Sequence, residues 1–147
     1  MQPKIRPTQP QSAGLPELRK SGGSQKTILV VDKDEGIRDL AVDVLRKPDR
    51  RILEASDGSQ ALKLIDENRV DVLVADNDLS DYPGNTFFDG VKYASPGTRI
   101  LAATRDPSYS QQDFKSSSAD DWIRKPFEVE ELNAKVGRLE NLGRQKV

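Results

Sequence analysis

Short apolar runs alternate with amphipathic stretches along most of the chain. The runs at 27–31, 51–55, 70–75, 99–103 and 122–123 are short, rich in branched residues and bounded by polar positions, which predicts five strands. Four of the five intervening or following stretches place apolar residues at helical spacing. The inward positions that this spacing predicts are Ile37, Leu40, Ala41, Val44, Leu45, Ala61, Leu62, Ile65, Phe87, Phe88, Val91, Val129, Leu132, Val136 and Leu139.

Polar and proline residues mark where these elements begin and end. Asp34 is placed to cap the first helix, and Pro48 ends it. Residues 107–118 should form a helix by alternation, but their serines predict a short or mobile element. Pro126 and Phe127 open the final helix. Strands alternating with helices indicate an α/β domain in which helices cover both faces of a parallel sheet.

The two ends of the chain differ from this pattern. Residues 1–25 contain four prolines and a Gly-Gly pair, a composition that predicts a disordered tail. Five basic residues against Glu17 give residues 1–26 a charge of +4, so the net charge of −1 leaves −5 on the other 121. We expect one domain at 26–142 and a short tail at 143–147. The acidic body argues against direct nucleic-acid binding.

Composition excludes several kinds of chemistry. The 147 residues include no histidine and no cysteine, so the chain supplies no imidazole base, no thiolate and no disulfide. No apolar run approaches membrane-spanning length, and we expect a cytoplasmic protein without membrane contact. Any chemistry must use carboxylates, hydroxyls, amines and backbone amides.

Four polar residues follow the ends of four predicted strands. They are Asp32, Asp76, Thr104 and Lys125. Sites in open parallel sheets lie outside the carboxyl ends of the strands, so these side chains should converge. A carboxylate can act as a nucleophile in aspartyl-phosphate formation, and a hydroxyl and an ammonium can bind phosphoryl oxygens. Singly, each residue is commonly a helix cap or a surface charge, but together they favour phosphoryl chemistry.

The segments around these residues resemble a known family. Ile-Leu-Val-Val-Asp at 28–32, Val-Ala-Asp at 74–76, Leu-Ala-Ala-Thr at 101–104 and Asp-Trp-Ile-Arg-Lys-Pro-Phe at 121–127 resemble the response-regulator receiver domains of two-component signalling. The last segment, followed by Glu-Val-Glu-Glu-Leu, is the most specific. The resemblance implies a flavodoxin-like (βα)5 doubly wound sheet with strand order 2-1-3-4-5, and a signalling domain rather than an enzyme.

The resemblance also implies a role for each strand-end residue. Asp76 would be the phosphoacceptor, which takes a phosphoryl group from a sensor histidine kinase or a phosphotransfer protein. Asp32, Asp76 and the backbone carbonyl of Asp78 would bind Mg²⁺. Thr104 would be the switch hydroxyl and Lys125 the counter-charge.

Trp122 stands where the family keeps a switch aromatic. A downstream protein target would bind the face near residues 105–127. Without the resemblance, Trp122 is equally well explained as an amphipathic surface residue.

The sequence departs from the family pattern at several positions in or near the predicted site. Lys33 stands where the family has a second acidic residue, which exchanges a metal ligand for a cation and should weaken Mg²⁺ binding. Asp78 could lean over the site, and an ion pair of Lys33 with Asp76 or Asp78 is one arrangement to expect. Arg105 replaces a small residue and should narrow access to Asp76.

The sequence leaves two alternatives to a phosphoacceptor receiver. A pseudo-receiver would have the same fold and act as a protein-interaction module without phosphorylation, as Lys33 and Arg105 would favour. The Asp-Asn-Asp sequence at 76–78 also imitates the paired carboxylates of haloacid-dehalogenase-type phosphatases. Those enzymes place the motif on an early strand and need a cap, so this alternative is the weaker.

Overall fold

The computed structural model describes residues 5–6, 25–82 and 85–142 of the chain. Within these residues the strands are β1 (Ile5–Arg6), β2 (Lys26–Val31), β3 (Arg50–Ala55), β4 (Val72–Asp76), β5 (Arg99–Thr104) and β6 (Asp121–Arg124). The helices are α1 (Glu35–Leu45), α2 (Gly58–Glu67), α3 (Thr86–Ala94), α4 (Gln111–Lys115) and α5 (Val129–Leu142). None of these helices is both long enough and apolar enough to cross a membrane.

All the strands belong to one sheet with the order β1-β3-β2-β4-β5-β6. Strands β2 to β6 run parallel, and β1 pairs antiparallel with β3 at one edge. Counted among themselves, the five parallel strands have the order 2-1-3-4-5. The predicted flavodoxin-like, doubly wound fold is therefore confirmed.

Strand β1 lies inside the segment that we predicted to be disordered. Its two residues pair with Leu53 and Ile52 of β3, so at this point the segment is extended backbone at the sheet edge. The outer side of β3 offers unpaired backbone N–H and C=O groups, and a segment can pair with them without apolar side chains of its own. The polar composition of residues 1–25 therefore did not indicate that part of this segment would pair with the sheet. The rest of the predicted tails, at 1–4, 7–24 and 143–147, lies outside the described residues.

Alternating side chains of the strands point to opposite faces of the sheet and build two layers of core. The layer under α2 and α3 includes Leu29, Leu53, Leu73, Ile100, Leu64, Phe87 and Val91. The layer under α1 and α5 includes Ile28, Ile52, Val72, Leu101, Val42, Leu132 and Val136. Because both faces of each central strand are covered, these strands are apolar throughout, as the sequence pattern predicted.

The buried stripe of α1 differs from the prediction. Leu40 is 42% exposed, whereas Val42 is fully buried. The inward positions are Arg38, Ala41, Val42 and Leu45. These are spaced i, i+3, i+4 and i+7, so an arginine holds one place on the core face. The prediction chose the most apolar residues of the helix and therefore included Leu40, which lies one position outside the buried stripe.

The helix ends follow the predicted capping, except that one helix begins later than predicted. The Asp34 side chain accepts a hydrogen bond from the Ile37 N–H at 3.1 Å, which confirms the cap and lowers the pKa of Asp34. Ser110 and Asp113 form a capping box on α4, which has only five residues, as the serine-rich segment predicted. Helix α5 begins at Val129 rather than at Pro126, and Val129 is half exposed.

A buried arginine joins three elements at the amino end of β3. Arg50 is 1% exposed. Its Nε and Nη2 donate to the two carboxylate oxygens of Glu140 at 2.8 and 2.7 Å, and its Nη1 donates to the Leu45 carbonyl at 2.7 Å. This two-pronged geometry suits a guanidinium, since its fork matches a carboxylate. The contact ties the amino end of β3 to the end of α1 and to α5.

We expect Glu140→Ala to destabilise the fold markedly, because a buried guanidinium would lose its carboxylate. Breaking a buried ion pair from one side costs about 3 kcal/mol or more in free energy of unfolding. Urea unfolding of the wild type and the variant measures the loss. Glu130→Ala on the exposed face of the same helix is the matched control and should change stability by less than about 0.5 kcal/mol. Equal effects of the two substitutions would contradict the assigned contact.

Candidate functional site

The register of the parallel strands brings the four predicted strand-end residues to one edge of the sheet. Val31 pairs with Ala75, Asp76 with Ala103, and Thr104 with Arg124. The residues that follow these positions therefore lie side by side. The chain leaves β2 toward β3 on one side and later enters β4 on the other, which makes this edge the switch point where open parallel sheets bind ligands.

The Lys125 ammonium lies between two buried carboxylates. Its Nζ is 2.8 Å from Oδ2 of Asp32 and 3.3 Å from Oδ2 of Asp76. The Lys125 side chain is 2% exposed, and those of Asp32 and Asp76 are 4% and 7% exposed. Charges this far from water need close partners, since their desolvation is costly. The structure thus brings three of the four predicted residues into direct contact.

Each of the two carboxylates uses its other oxygen to hold the loop that follows it. Oδ1 of Asp32 accepts a hydrogen bond from the Asp34 N–H, and Oδ1 of Asp76 accepts one from the Asp78 N–H, both at 2.9 Å. The Arg38 Nη1 also donates to the Asp32 carbonyl at 2.6 Å. Side-chain orientation and loop direction are therefore set together at both strand ends.

Asp76 and its neighbours border an open cleft of about 400 Å³. We call it the Asp76 cleft; it is lined by Lys33, Asp76, Asn77, Asp78, Thr104, Arg105, Asp106 and Lys125. Asp32 lies behind Lys125 and is not part of the lining. The cleft is polar and large enough for a tetrahedral anion.

The residues that depart from the family pattern line this cleft. Lys33 and Asp78 are both exposed at its rim. The ion pairs of the described residues do not join Lys33 to Asp76 or to Asp78, so the arrangement considered from the sequence is absent. Arg105 also lies at the rim, and its Nη2 is 3.8 Å from Oδ2 of Asp34.

Thr104 and Trp122 lie on neighbouring strands but in different surroundings. Thr104 is buried, lines the Asp76 cleft, and accepts a hydrogen bond from the Asp106 N–H at 3.0 Å. Trp122 lies outside the cleft and is partly buried. Its ring centroid is 5.0 Å from that of Tyr109, and its Nε1 donates to Gln111 at 3.3 Å.

Arg124 holds the loop that follows Thr104, a function that the sequence did not reveal. Its Nη1 and Nη2 donate to the carbonyls of Asp106 and Tyr109, both at 2.7 Å. Its guanidinium carbon also lies 4.9 Å from the centre of the Trp122 ring. No local pattern distinguishes Arg124 from an ordinary surface arginine, because its partners are 15 and 18 residues away.

Asp81 was also missed, and it fixes the loop that follows Asp76. Its carboxylate accepts hydrogen bonds from the Gly58 and Ser59 N–H groups, both at 3.0 Å, at the start of α2. Burial raises the pKa of Asp81, but these hydrogen bonds outweigh that effect and hold the pKa below its usual value. A Cβ at Gly58 would lie 2.3 Å from the Tyr82 ring, so glycine is required for this close approach.

The fold and the site together define a class of protein. A five-stranded parallel sheet of this order, with two carboxylates, a hydroxyl and a lysine at its carboxyl edge, has the architecture of a receiver domain. Residues 28–137 match the response regulator receiver domain family. The chain belongs to this family.

Individual relatives agree with that assignment. The transcriptional regulatory protein TrcR of Mycobacterium tuberculosis is 33% identical over 135 residues, which cover 91% of this chain and 52% of TrcR. The probable transcriptional regulatory protein TcrX of the same organism is 30% identical over 123 residues, 83% of this chain and 53% of TcrX. The chain thus spans about half the length of these relatives.

Solved receiver structures have the same fold. The chemotaxis response regulator CheY4 of Vibrio cholerae superposes with a TM-score of 0.70 at 28% identity, over 79% of this chain and 99% of CheY4.

Family membership decides against the haloacid-dehalogenase-type alternative. Receiver domains of response regulators are signalling domains rather than typical enzymes.

The donor atoms at this edge do not fit a divalent-ion site. Receiver domains generally bind Mg²⁺ for phosphorylation, and the resemblance implied the carboxylates of Asp32 and Asp76 and the backbone carbonyl of Asp78 as ligands. Here both carboxylates contact the Lys125 ammonium, and Lys33 adds a second ammonium to the cleft. Within residues 25–82 and 85–142, no three acidic side chains are grouped so that they could hold a metal ion.

We expect Arg124→Gln to loosen the loop at 105–110, since two backbone carbonyls would lose their charged donor. If the lost hydrogen bonds together stabilise the closed loop by about 1.4 kcal/mol, the loop amides should exchange about tenfold faster. Hydrogen exchange read by mass spectrometry measures this effect, and Arg46→Gln, an exposed arginine on another surface, is the control. Unchanged exchange in the Arg124 variant would refute the proposed tether.

We expect Asp81→Asn to destabilise the fold at pH 7, because an amide offers only one acceptor oxygen to the two N–H groups. The lowered pKa means that the wild-type carboxylate stabilises the fold above its ordinary pKa and loses this effect as pH falls through the lowered value. The penalty of the substitution should therefore shrink toward about pH 3. Urea unfolding at both pH values is compared with Asp66→Asn, an exposed position on α2. A penalty independent of pH would argue against the charged contact.

Proposed function

We propose that this chain is a phosphoacceptor receiver in which Asp76 takes a phosphoryl group from a sensor histidine kinase or a phosphotransfer protein. The observation that supports this most strongly is the position of the Asp76 carboxylate. It lies at the floor of an open polar cleft, in contact with a buried ammonium and beside a hydroxyl. We place this exchange in the cytoplasm, as the sequence predicts.

The transfer needs no general base on this chain. A carboxylate oxygen of Asp76 attacks the phosphorus of the donor phosphohistidine, and the new O–P bond forms as the N–P bond breaks. The electron pair of that bond stays on the imidazole nitrogen, which takes a proton from solvent. The absence of histidine from the chain fits the role of acceptor, since the donor imidazole belongs to the partner.

Lys125 and Thr104 would bind the transferred group. The Lys125 ammonium is close enough to Asp76 to pair with a phosphoryl oxygen attached there. Thr104 accepts from the Asp106 N–H, so its own O–H remains able to donate to a second oxygen. In this proposal Thr104 is the switch hydroxyl, because a bond to the phosphoryl group would pull on the loop at Asp106.

The change at Thr104 would be read on the neighbouring surface. Arg124 joins the loop after Thr104 to the Trp122 ring, so a shift of that loop changes the surroundings of the indole. We propose that a downstream protein binds the face near residues 105–127, with Trp122 as its switch aromatic. A groove of about 420 Å³ beside Trp122 and Lys135 supports a binding role for this face.

The relatives TrcR and TcrX are named as transcriptional regulatory proteins and are about twice as long as the part matched here. We propose that any contact with DNA in this system is made by a partner protein or domain. The charge of −5 on residues 27–147 supports this division, since phosphate contacts need basic surfaces.

A pseudo-receiver is the second candidate, favoured by one observation. Lys33 lines the Asp76 cleft and brings a positive charge close to Asp76 without any phosphoryl group or metal. Such a charge could hold one conformation of the domain permanently, in which case partner binding would not depend on phosphorylation.

Treatment with a small phosphodonor such as acetyl phosphate, read by intact mass, separates the two candidates. The wild type should gain the mass of one phosphoryl group, and Asp76→Asn should gain none, because an amide oxygen is a far weaker nucleophile. Asp78→Asn, in the same cleft, is the matched control and should still be modified. A wild type that stays unmodified with small donors and with histidine kinases would support the pseudo-receiver instead.

A further inference from the structure

The side chains that line the Asp76 cleft carry as many positive as negative charges, and the buried Asp32 carboxylate lies behind Lys125. Three cations line it, Lys33, Arg105 and Lys125. Three carboxylates face them, those of Asp76, Asp78 and Asp106. A cleft lined by three cations differs from a typical Mg²⁺ site, which is built around one or two carboxylates and water.

The two buried carboxylates have no oxygen left without a donor. One oxygen of Asp32 accepts from the Asp34 N–H and the other contacts Lys125 at 2.8 Å. Asp76 repeats this arrangement with the Asp78 N–H and with Lys125 at 3.3 Å. A divalent ion bound to both carboxylates would have to share their oxygens with the ammonium and the amides, and its charge would be repelled by the two lysines nearby.

Lys33 is placed to meet an anion that enters the cleft from solvent. It is exposed, it borders the cleft, and it is the second residue after the end of β2. The ion pairs found among residues 25–82 and 85–142 do not use its ammonium. A lysine carries its charge on a flexible four-carbon stem, so it can follow an anion that docks anywhere in the cleft.

We propose that the cleft accepts a phosphoryl group, or a tetrahedral analogue of it, at Asp76 without a divalent metal ion. Lys33 supplies positive charge on the solvent side of the anion, and Lys125 supplies it on the buried side. This proposal rests on the proposed function, since it concerns how the same carboxylate is modified. It makes Lys33 an anion-binding residue rather than a defect in a metal site.

The bound group would then be held by two ammonium ions and one hydroxyl. Lys125 and Thr104 would contact it from the floor of the cleft, and Lys33 from the rim. Arg105 is the other rim cation, but its guanidinium lies 3.8 Å from the Asp34 carboxylate, which directs part of its charge away from the cleft. Lys33 is therefore the residue to test first.

Beryllofluoride is a suitable probe, because an Asp76 oxygen replaces a water on beryllium and gives a tetrahedral adduct without turnover. Its affinity is measured from Trp122 fluorescence and from the amide chemical shifts of residues 76–78, once in EDTA and once in magnesium chloride. The wild type should bind equally well, within about twofold, in both buffers.

Substitutions at Lys33 should distinguish positive charge supplied by this lysine from positive charge supplied by a magnesium ion. Lys33→Asp should lose about tenfold or more in affinity in EDTA and recover it in magnesium, because the new carboxylate provides a metal ligand. Lys33→Met should lose affinity in EDTA without that recovery. Lys63→Asp reverses an exposed charge on α2, far from the cleft, and should behave as the wild type. Thermal unfolding checks that all variants are folded.

Each other outcome decides against one proposal. A wild type that binds the probe and is phosphorylated only with magnesium would overturn metal-free binding and leave Asp76 as the phosphoacceptor. Lys33→Asp with unchanged affinity in EDTA would show that Lys33 is not the cation that binds the anion. Absence of an adduct and of phosphorylation in both buffers would overturn the phosphoacceptor function itself.

Discussion

The contact of the Lys125 ammonium with Asp32 and Asp76 is the interaction on which the carboxyl edge of the sheet depends. Two carboxylates at neighbouring strand ends would repel each other in a low-dielectric environment if no cation lay between them. Lys125 directly follows β6, which lies two strands away from β4 in the sheet order, so its side chain joins three loops across the edge. Removing either the cation or one carboxylate would leave a buried charge, which is why this group of residues behaves as a unit.

Around this group, the loops are held by side chains that come from elsewhere in the chain. Asp81 binds the loop after β4 to the start of α2, and Arg124 binds the loop after β5 to β6. The cleft therefore has a floor of contacting charges and two walls held by hydrogen bonds. Lys33, by contrast, makes no ion pair among the described residues and lies exposed at the entrance of the cleft.

The fold was predictable from the sequence because periodicity and strand-end chemistry are local signals. Five apolar runs gave the strands, and Asp34 gave the start of α1. Where the prediction was wrong, the cause was a tertiary contact that local periodicity does not reveal. Leu40 is apolar but lies outside the buried stripe, while Arg38 lies inside it because Glu54 and the Asp32 carbonyl provide polar partners within the core.

The site was predictable in its membership but not in its contacts. That Asp32, Asp76, Thr104 and Lys125 meet follows from parallel topology, since every strand presents its carboxyl end at the same edge. The roles of Arg124 and Asp81 depend on hydrogen bonds to backbone groups 15 to 23 residues away, and no spacing rule marks such partners. The sequence likewise could not tell whether Lys33 pairs with a carboxylate or stands free of one.

The contact of Arg50 with Glu140 also couples the two halves of the described domain. The two residues are 90 positions apart, and the arginine is buried at the start of β3. Because α5 supplies the carboxylate that pairs with this guanidinium, the packing of the amino end of β3 depends on the last helix. The two halves are therefore expected to unfold together as one cooperative unit.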